Sequence, residues 1–185
     1  MPTFRTSAPG SAADQARAHI VLIGLPGSGK STVGLLLGRQ LNRQFLDFDV
    51  EIARREGMSI TEIFAQRGEP SFRQLEHGLT REVAELGNMV LAPGGGWVAQ
   101  ADAVALLRPP AMLIYLRISA ATALKRMGAS TAGRPLLMRP NPRGELDRLL
   151  ETRRAAYEAG DLVVDVERLA AKEVAFYIAS RLPPV

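Results

Sequence analysis

The chain has 185 residues, 23 Lys and Arg against 19 Asp and Glu, and no cysteine. Such a length makes one domain with a real core, and the missing thiols exclude disulfides and thiolate metal sites, in keeping with a reducing cytoplasm. A net charge of +4 with arginines scattered rather than run together argues against nucleic acid as a partner, and no apolar stretch approaches the roughly 20 residues of a membrane span.

Residues 1–18 are rich in Ala, Ser, Pro and Gly and lack the apolar centre of a signal peptide, so a disordered tail is expected ahead of a domain over 19–185. The run Ile20 to Ile23 reads as a buried strand, followed by a glycine-rich stretch and a helix from Val33 to Leu41. Phe45 to Asp49 reads as a short strand ending in two carboxylates. Two short helices, 50–56 and 59–66, are broken by Gly57, and a longer helix is predicted from Glu69 to Leu86. Met89 to Ala92 is a strand leading into Pro93 and the glycines 94–96. A helix from Ala101 to Leu107, a strand from Ala111 to Leu116 and a Ser119-capped helix to Met127 follow. Gly128 to Arg143 reads as a loop punctuated by proline and bearing three arginines. A helix from Glu145 to Ala159, a strand from Leu162 to Val166 and a helix over 170–181 close the chain. Strands separated by helices predict a three-layer α/β fold around a parallel sheet of about five strands.

Gly24, Gly29, Lys30 and Ser31 satisfy G-x-x-x-x-G-K-[ST], between the predicted strand and helix that this motif requires. Glycines let successive backbone N–H groups point at a phosphate, and the helix N-terminus adds its positive dipole end. Lys30 is placed to bridge the β- and γ-phosphates, and the Ser31 hydroxyl to ligate Mg²⁺. A nucleoside triphosphate is therefore the expected ligand, held by Gly27, Ser28, Gly29, Lys30, Ser31 and Thr32.

Other pieces read less specifically. Asp47 and Asp49, two residues apart at a strand end, can face one crevice, or else be a pair of solvated carboxylates. Asp47 suits Mg²⁺ as a hard oxygen ligand, and Asp49 suits an acceptor hydroxyl. Arg73 and Arg153 offer two planar forks for a carboxylate, although Arg73 with Glu76 at i, i+3 is also an ordinary surface-helix pair. Arg154 adjoins Arg153 as the fallback. Gly94, Gly95 and Gly96 admit a close substrate approach or form a plain turn. Trp97 reads equally as a pocket wall or as a packed side chain. His19 and His77 show no metal spacing or partner and read as structural.

Taken in order behind the P-loop, Asp47-x-Asp49, Phe72-Arg73-x-x-Glu76, Gly94-Gly95-Gly96, Arg134-Pro135-Leu136-Leu137 and Arg153 four residues before Tyr157 resemble the shikimate kinases. The resemblance runs from about Ile20 to Leu182. It implies a P-loop kinase fold with a mobile lid at about 128–143 and ATP-dependent phosphorylation of the 3-hydroxyl of shikimate by a monomer. Lys30, Asp49 and Arg134 are then catalytic. Arg126 and Arg134 join the nucleotide site, Asp49, Arg73, Gly94, Gly95, Gly96 and Arg153 bind shikimate, and Ser31 and Asp47 hold Mg²⁺. Glu76 fixes Arg73 in this scheme. The chain departs from the pattern at Ala92 and Pro93, where relatives often carry a hydroxyl, at Trp97, and in the loop after Asp165. Kinases of other hydroxy acids such as gluconate share the scaffold. Ligand-sensing domains of transcription regulators share it too, but eighteen residues ahead of the first strand leave no room for a DNA-binding domain.

Overall fold

A computed structural model describes residues 18–128 and 140–182. Five strands, β1 (Ile20–Ile23), β2 (Phe45–Asp47), β3 (Val90–Ala92), β4 (Met112–Arg117) and β5 (Leu162–Asp165), form one sheet in the order β2-β3-β1-β4-β5. Every pairing is parallel, with Ile20 opposite both Val90 and Met112. β1 lies at the centre and all four of its residues are buried. That is why it reads as an unbroken apolar run rather than an alternating one: helices cover both faces of a parallel sheet.

The helices are α1 (Lys30–Leu41), α2 (Phe48–Glu56), α3 (Ile60–Ala84), α4 (Ala101–Leu107), α5 (Ala120–Met127), α6 (Pro142–Glu158) and α7 (Ala171–Ala179), with a 3₁₀ turn at Trp97–Ala99. α1 packs on α7, α3 on α4, and α5 on α6. Strand order reverses at β1, so a crevice opens beyond the carboxyl ends of β1 and β3, where such folds bind ligands. The loops after β1 and β3 enter it, as does the first turn of α2, which follows β2 directly.

Several boundaries differ from the sequence reading, each for a local reason. α1 starts three residues early, at Lys30, because Gly29 in the left-handed region (φ 98°) turns the loop straight into the helix. β2 stops at Asp47, which N-caps α2 by accepting from Asp49 N and Val50 N at 3.1 and 3.3 Å. Asp49 is thus in the first turn of a helix and not on a strand; the capping preference of Asp overrides strand alternation. The two helices expected on either side of residue 68 run on as α3, kinked at Gly68 (φ 75°, ψ 171°), and Pro70 falls in the first turn after the kink, where proline is tolerated. α3 ends at Ala84, before Leu86. α6 begins at Pro142 because the Asn141 side chain accepts from Gly144 N at 3.0 Å, so Arg143 is helical and not in a loop.

His19 is buried and structural. Its Nε2 donates to Val83 O at 2.9 Å while Nδ1 accepts from Met89 N at 3.3 Å, joining the end of α3 to the edges of β1 and β3. His77 has a partner after all, Asp102 on α4 at 3.2 Å.

Candidate active site

The first turn of α1 has no side-chain cap, which leaves its N–H groups for an anion. Lys30 Nζ folds back on the loop, donating to Gly24 O at 2.9 Å and Leu25 O at 3.1 Å. Burial pulls the ammonium down to about 8, with Asp49 and Asp47 opposing that shift. One residue on, Ser31 Oγ donates to Asp47 Oδ2 at 2.5 Å. The capping role of Asp47 aims its other oxygen into α2 and leaves this one toward the P-loop.

Asp49 opens onto the same cleft. Seclusion of its carboxyl there, reinforced by Asp47 and Glu76, pushes it up to about 6 against the pull of Lys30 and Arg73. Asp49 and Lys30 are thus both shifted toward neutral pH within one cleft, as ionisable groups at functional sites often are.

The opposite wall is built on α3. Glu76 is fully buried and accepts three hydrogen bonds: from Arg73 Nη1 at 2.6 Å, Gln100 Nε2 at 2.7 Å and Gly94 N at 3.1 Å. Arg73 also reaches Glu69 Oε1 through Nη2 at 2.9 Å, and its guanidinium lies 5.3 Å from the Phe72 ring centre. At Gly96 an added Cβ would meet the Arg73 guanidinium, which would have to shift, so the triple glycine shapes the arginine's seat as well as the loop. Tyr157 on α6 donates to Gly95 O at 2.7 Å and interacts with Arg153.

Gly27, Ser28, Gly29, Lys30, Ser31, Thr32, Asp47, Asp49, Arg73, Gly94, Gly95, Gly96, Arg126 and Arg153 all line one cleft of about 810 Å³. Arg126 donates to Val166 O at 2.5 Å, tying the loop after β5 to α5. Glu167 in that loop accepts from Ser119 N and from the hydroxyls of Ser119 and Thr122, which hold its carboxyl down at about 2. Arg154, the fallback, is exposed, pairs with Glu151 at 2.7 Å and does not line the cleft. Trp97 is packed and not a pocket wall: it is fully buried, and its Nε1 donates to Thr80 Oγ1 at 2.9 Å. Arg134 and most of the expected lid lie outside the described residues. Gln100 and Thr80 were missed, because an uncharged residue far along the chain carries no motif signal.

The oxygen pair at Ser31 and Asp47 fits Mg²⁺, which takes one or two protein oxygens and completes its octahedron with water and phosphate. Ala92 and Pro93 line the cleft without adding a hydroxyl.

The family model described as shikimate kinase matches residues 26–183. A shikimate kinase of Moorella thermoacetica is 41% identical over 164 residues, 89% of this chain and 94% of that protein. One from Synechococcus sp. is 38% identical over 165 residues, 89% of this chain and 84% of that protein. Among solved structures, shikimate kinase from Acinetobacter baumannii in complex with shikimate superposes with a TM-score of 0.83 at 33% identity, covering 94% of this chain and all of that one.

Proposed function

This chain belongs to the shikimate kinase family, and we propose that it transfers the γ-phosphoryl group of ATP to the 3-hydroxyl of shikimate. The observation that carries the reading is the geometry of one cleft. Arg73, held by a buried Glu76 at 2.6 Å, shares it with Arg153, with Asp49 and with the P-loop cation Lys30. The acceptor must therefore present a carboxylate to the arginines and a hydroxyl to Asp49.

Arg73 and Arg153 take the shikimate carboxylate, and a rigid ring loses less entropy on docking than an open chain does. Asp49 accepts the proton of the 3-hydroxyl as its oxygen bonds to the γ-phosphorus and the bond to the ADP oxygen breaks. Lys30 leaves the Gly24 and Leu25 carbonyls for the phosphates, and the α1 N–H groups offset charge on the transferring group. Ser31 and Asp47 hold Mg²⁺ in this scheme; the bound ion neutralises phosphate charge. Arg134 adds to the same charge balance. The same reading has a monomer working in the cytoplasm on small anions, with neither nucleic acid nor membrane as partner.

A coupled ADP-release assay with shikimate, gluconate and other hydroxy acids tests it. Turnover with shikimate well above all others is expected. ATP binding without ADP release on shikimate overturns the acceptor assignment and leaves the phosphate site standing.

A further inference from the structure

Gln100 stands where the 3₁₀ turn meets α4, as the N-cap of that helix, yet its side chain makes no capping bond. Its amide nitrogen is spent elsewhere, donating to Glu76 Oε2 at 2.7 Å. That same oxygen receives Arg73 Nη1, and Oε1 receives Gly94 N. A fully buried carboxylate is costly unless several donors satisfy it. Here one of three is a neutral side chain reaching in from another element. The backbone of Gln100 is anchored separately, its N–H to Trp97 O at 2.9 Å and its carbonyl to Val104 N at 3.0 Å. The side chain is therefore free of any duty to the turn itself.

We propose that Gln100 is a positioning residue for acceptor binding: by donating to Glu76 it holds that carboxylate against Arg73 and so keeps the guanidinium fixed at the cleft wall for the acceptor's carboxylate. The identity of that acceptor rests on the shikimate reading above; the Gln100–Glu76–Arg73 arrangement does not. The charges that face Glu76 are Arg73 on its own helix, Asp49 from α2 and Lys30 from α1. Burial already holds Glu76 above the usual carboxylate range, and Arg73, Gln100 and Gly94 N oppose that rise. Without the amide, the carboxyl takes up a proton at higher pH, and Arg73 loses its counter-charge.

The test is Gln100→Leu and Gln100→Glu, with KM for shikimate and for ATP read as ratios to wild type across pH. In Gln100→Leu the shikimate KM rises about tenfold at the acid end, the loss of one hydrogen bond to a charged group, and recovers as pH rises and Glu76 ionises. In Gln100→Glu the two carboxyls share a proton at low pH, so the defect grows with pH, in the opposite sense. The ATP KM stays within about twofold in both, since neither change touches the P-loop. Carbon-13 NMR of the Glu76 carboxyl gives a second readout that needs no substrate, with a higher titration midpoint in Gln100→Leu than in wild type. An unmoved midpoint with a flat KM ratio overturns the proposal, and so do equal rises in both KM values without a pH trend. Should Gln100→Leu not fold, the Gln100→Glu trend and titration decide alone. Wild type inactive on shikimate sinks the acceptor reading and leaves the NMR result to judge Gln100.

Discussion

Lys30 and Asp49 are each held in a charge state that burial disfavours. The folded Lys30 sits near 8, below its ordinary value, so at pH 7 the buried ammonium costs stability, and the cost eases as pH rises beyond about 8. Lys30→Met should therefore raise the Tm of the ligand-free protein by a few degrees while cutting kcat by at least about a hundred- to a thousandfold. A folded variant with wild-type kcat would falsify the kinase mechanism. Asp49 runs the other way. Its folded value of about 6 lies above the unfolded one, so the stability of the protonated form is present in acid and is lost as pH rises through about 6. Asp49→Asn should then melt higher than wild type at pH 7.5 and equally at pH below about 4, with activity lost throughout. In wild type, kcat/KM for ATP should climb through about pH 6 as Asp49 ionises and fall above about 8 as free Lys30 deprotonates. The alkaline limb of kcat should lie higher, because bound phosphates favour the ammonium. Identical limbs in both profiles would count against Lys30 meeting the phosphates.

At the scale of elements, adjacent arginines on α6 have opposite fates because a helix turns about 100° per residue. Arg153 lines the cleft beside Tyr157, whereas Arg154 is exposed and paired with Glu151. Truncating Arg153 to Ala should raise the shikimate KM tenfold or more, given about 1.5–3 kcal/mol for a charge-assisted bond. Arg154→Ala should leave it within about twofold, as an exposed pair is worth little. Steady-state kinetics on the two variants side by side measure this, and equal effects would remove Arg153 from the site. The choice of Arg153 over Arg154 came from the family resemblance, which sets an arginine four residues before Tyr157; the Tyr157 hydroxyl bonds Gly95 O. The strand-to-helix switch at Asp47 was not. A three-residue strand gives too short an alternation to outvote, and a capping Asp looks the same in sequence as a strand-end ligand.

For the whole molecule, the sheet order brings the ends of β1, β2 and β3 together, and Trp97, just past β3, ties the following turn to α3. Its indole bonds Thr80, which donates to Glu76 O at 2.8 Å. The interior behind the triple glycine is thus continuous with the wall that carries Arg73. Removing a fully buried indole by Trp97→Ala should cost about 3–5 kcal/mol and lower Tm by roughly 6–20 °C. Thermal unfolding measures it, and a drop below about 2 °C would mean that the packing is not carried there. The P-loop motif and the α/β class were legible in the chain alone. A P-loop is local chemistry, contiguous in the chain, and buried parallel strands announce themselves as apolar runs between helical patterns. Every candidate ligand among the described residues lines one cleft. That Trp97 packs inward, and that Gln100 joins Arg73 and Gly94 on Glu76, came from the tertiary structure. Those outcomes depend on which groups meet between α3 and the segment after β3, and contacts between residues 17 to 24 positions apart leave no periodic trace in the chain.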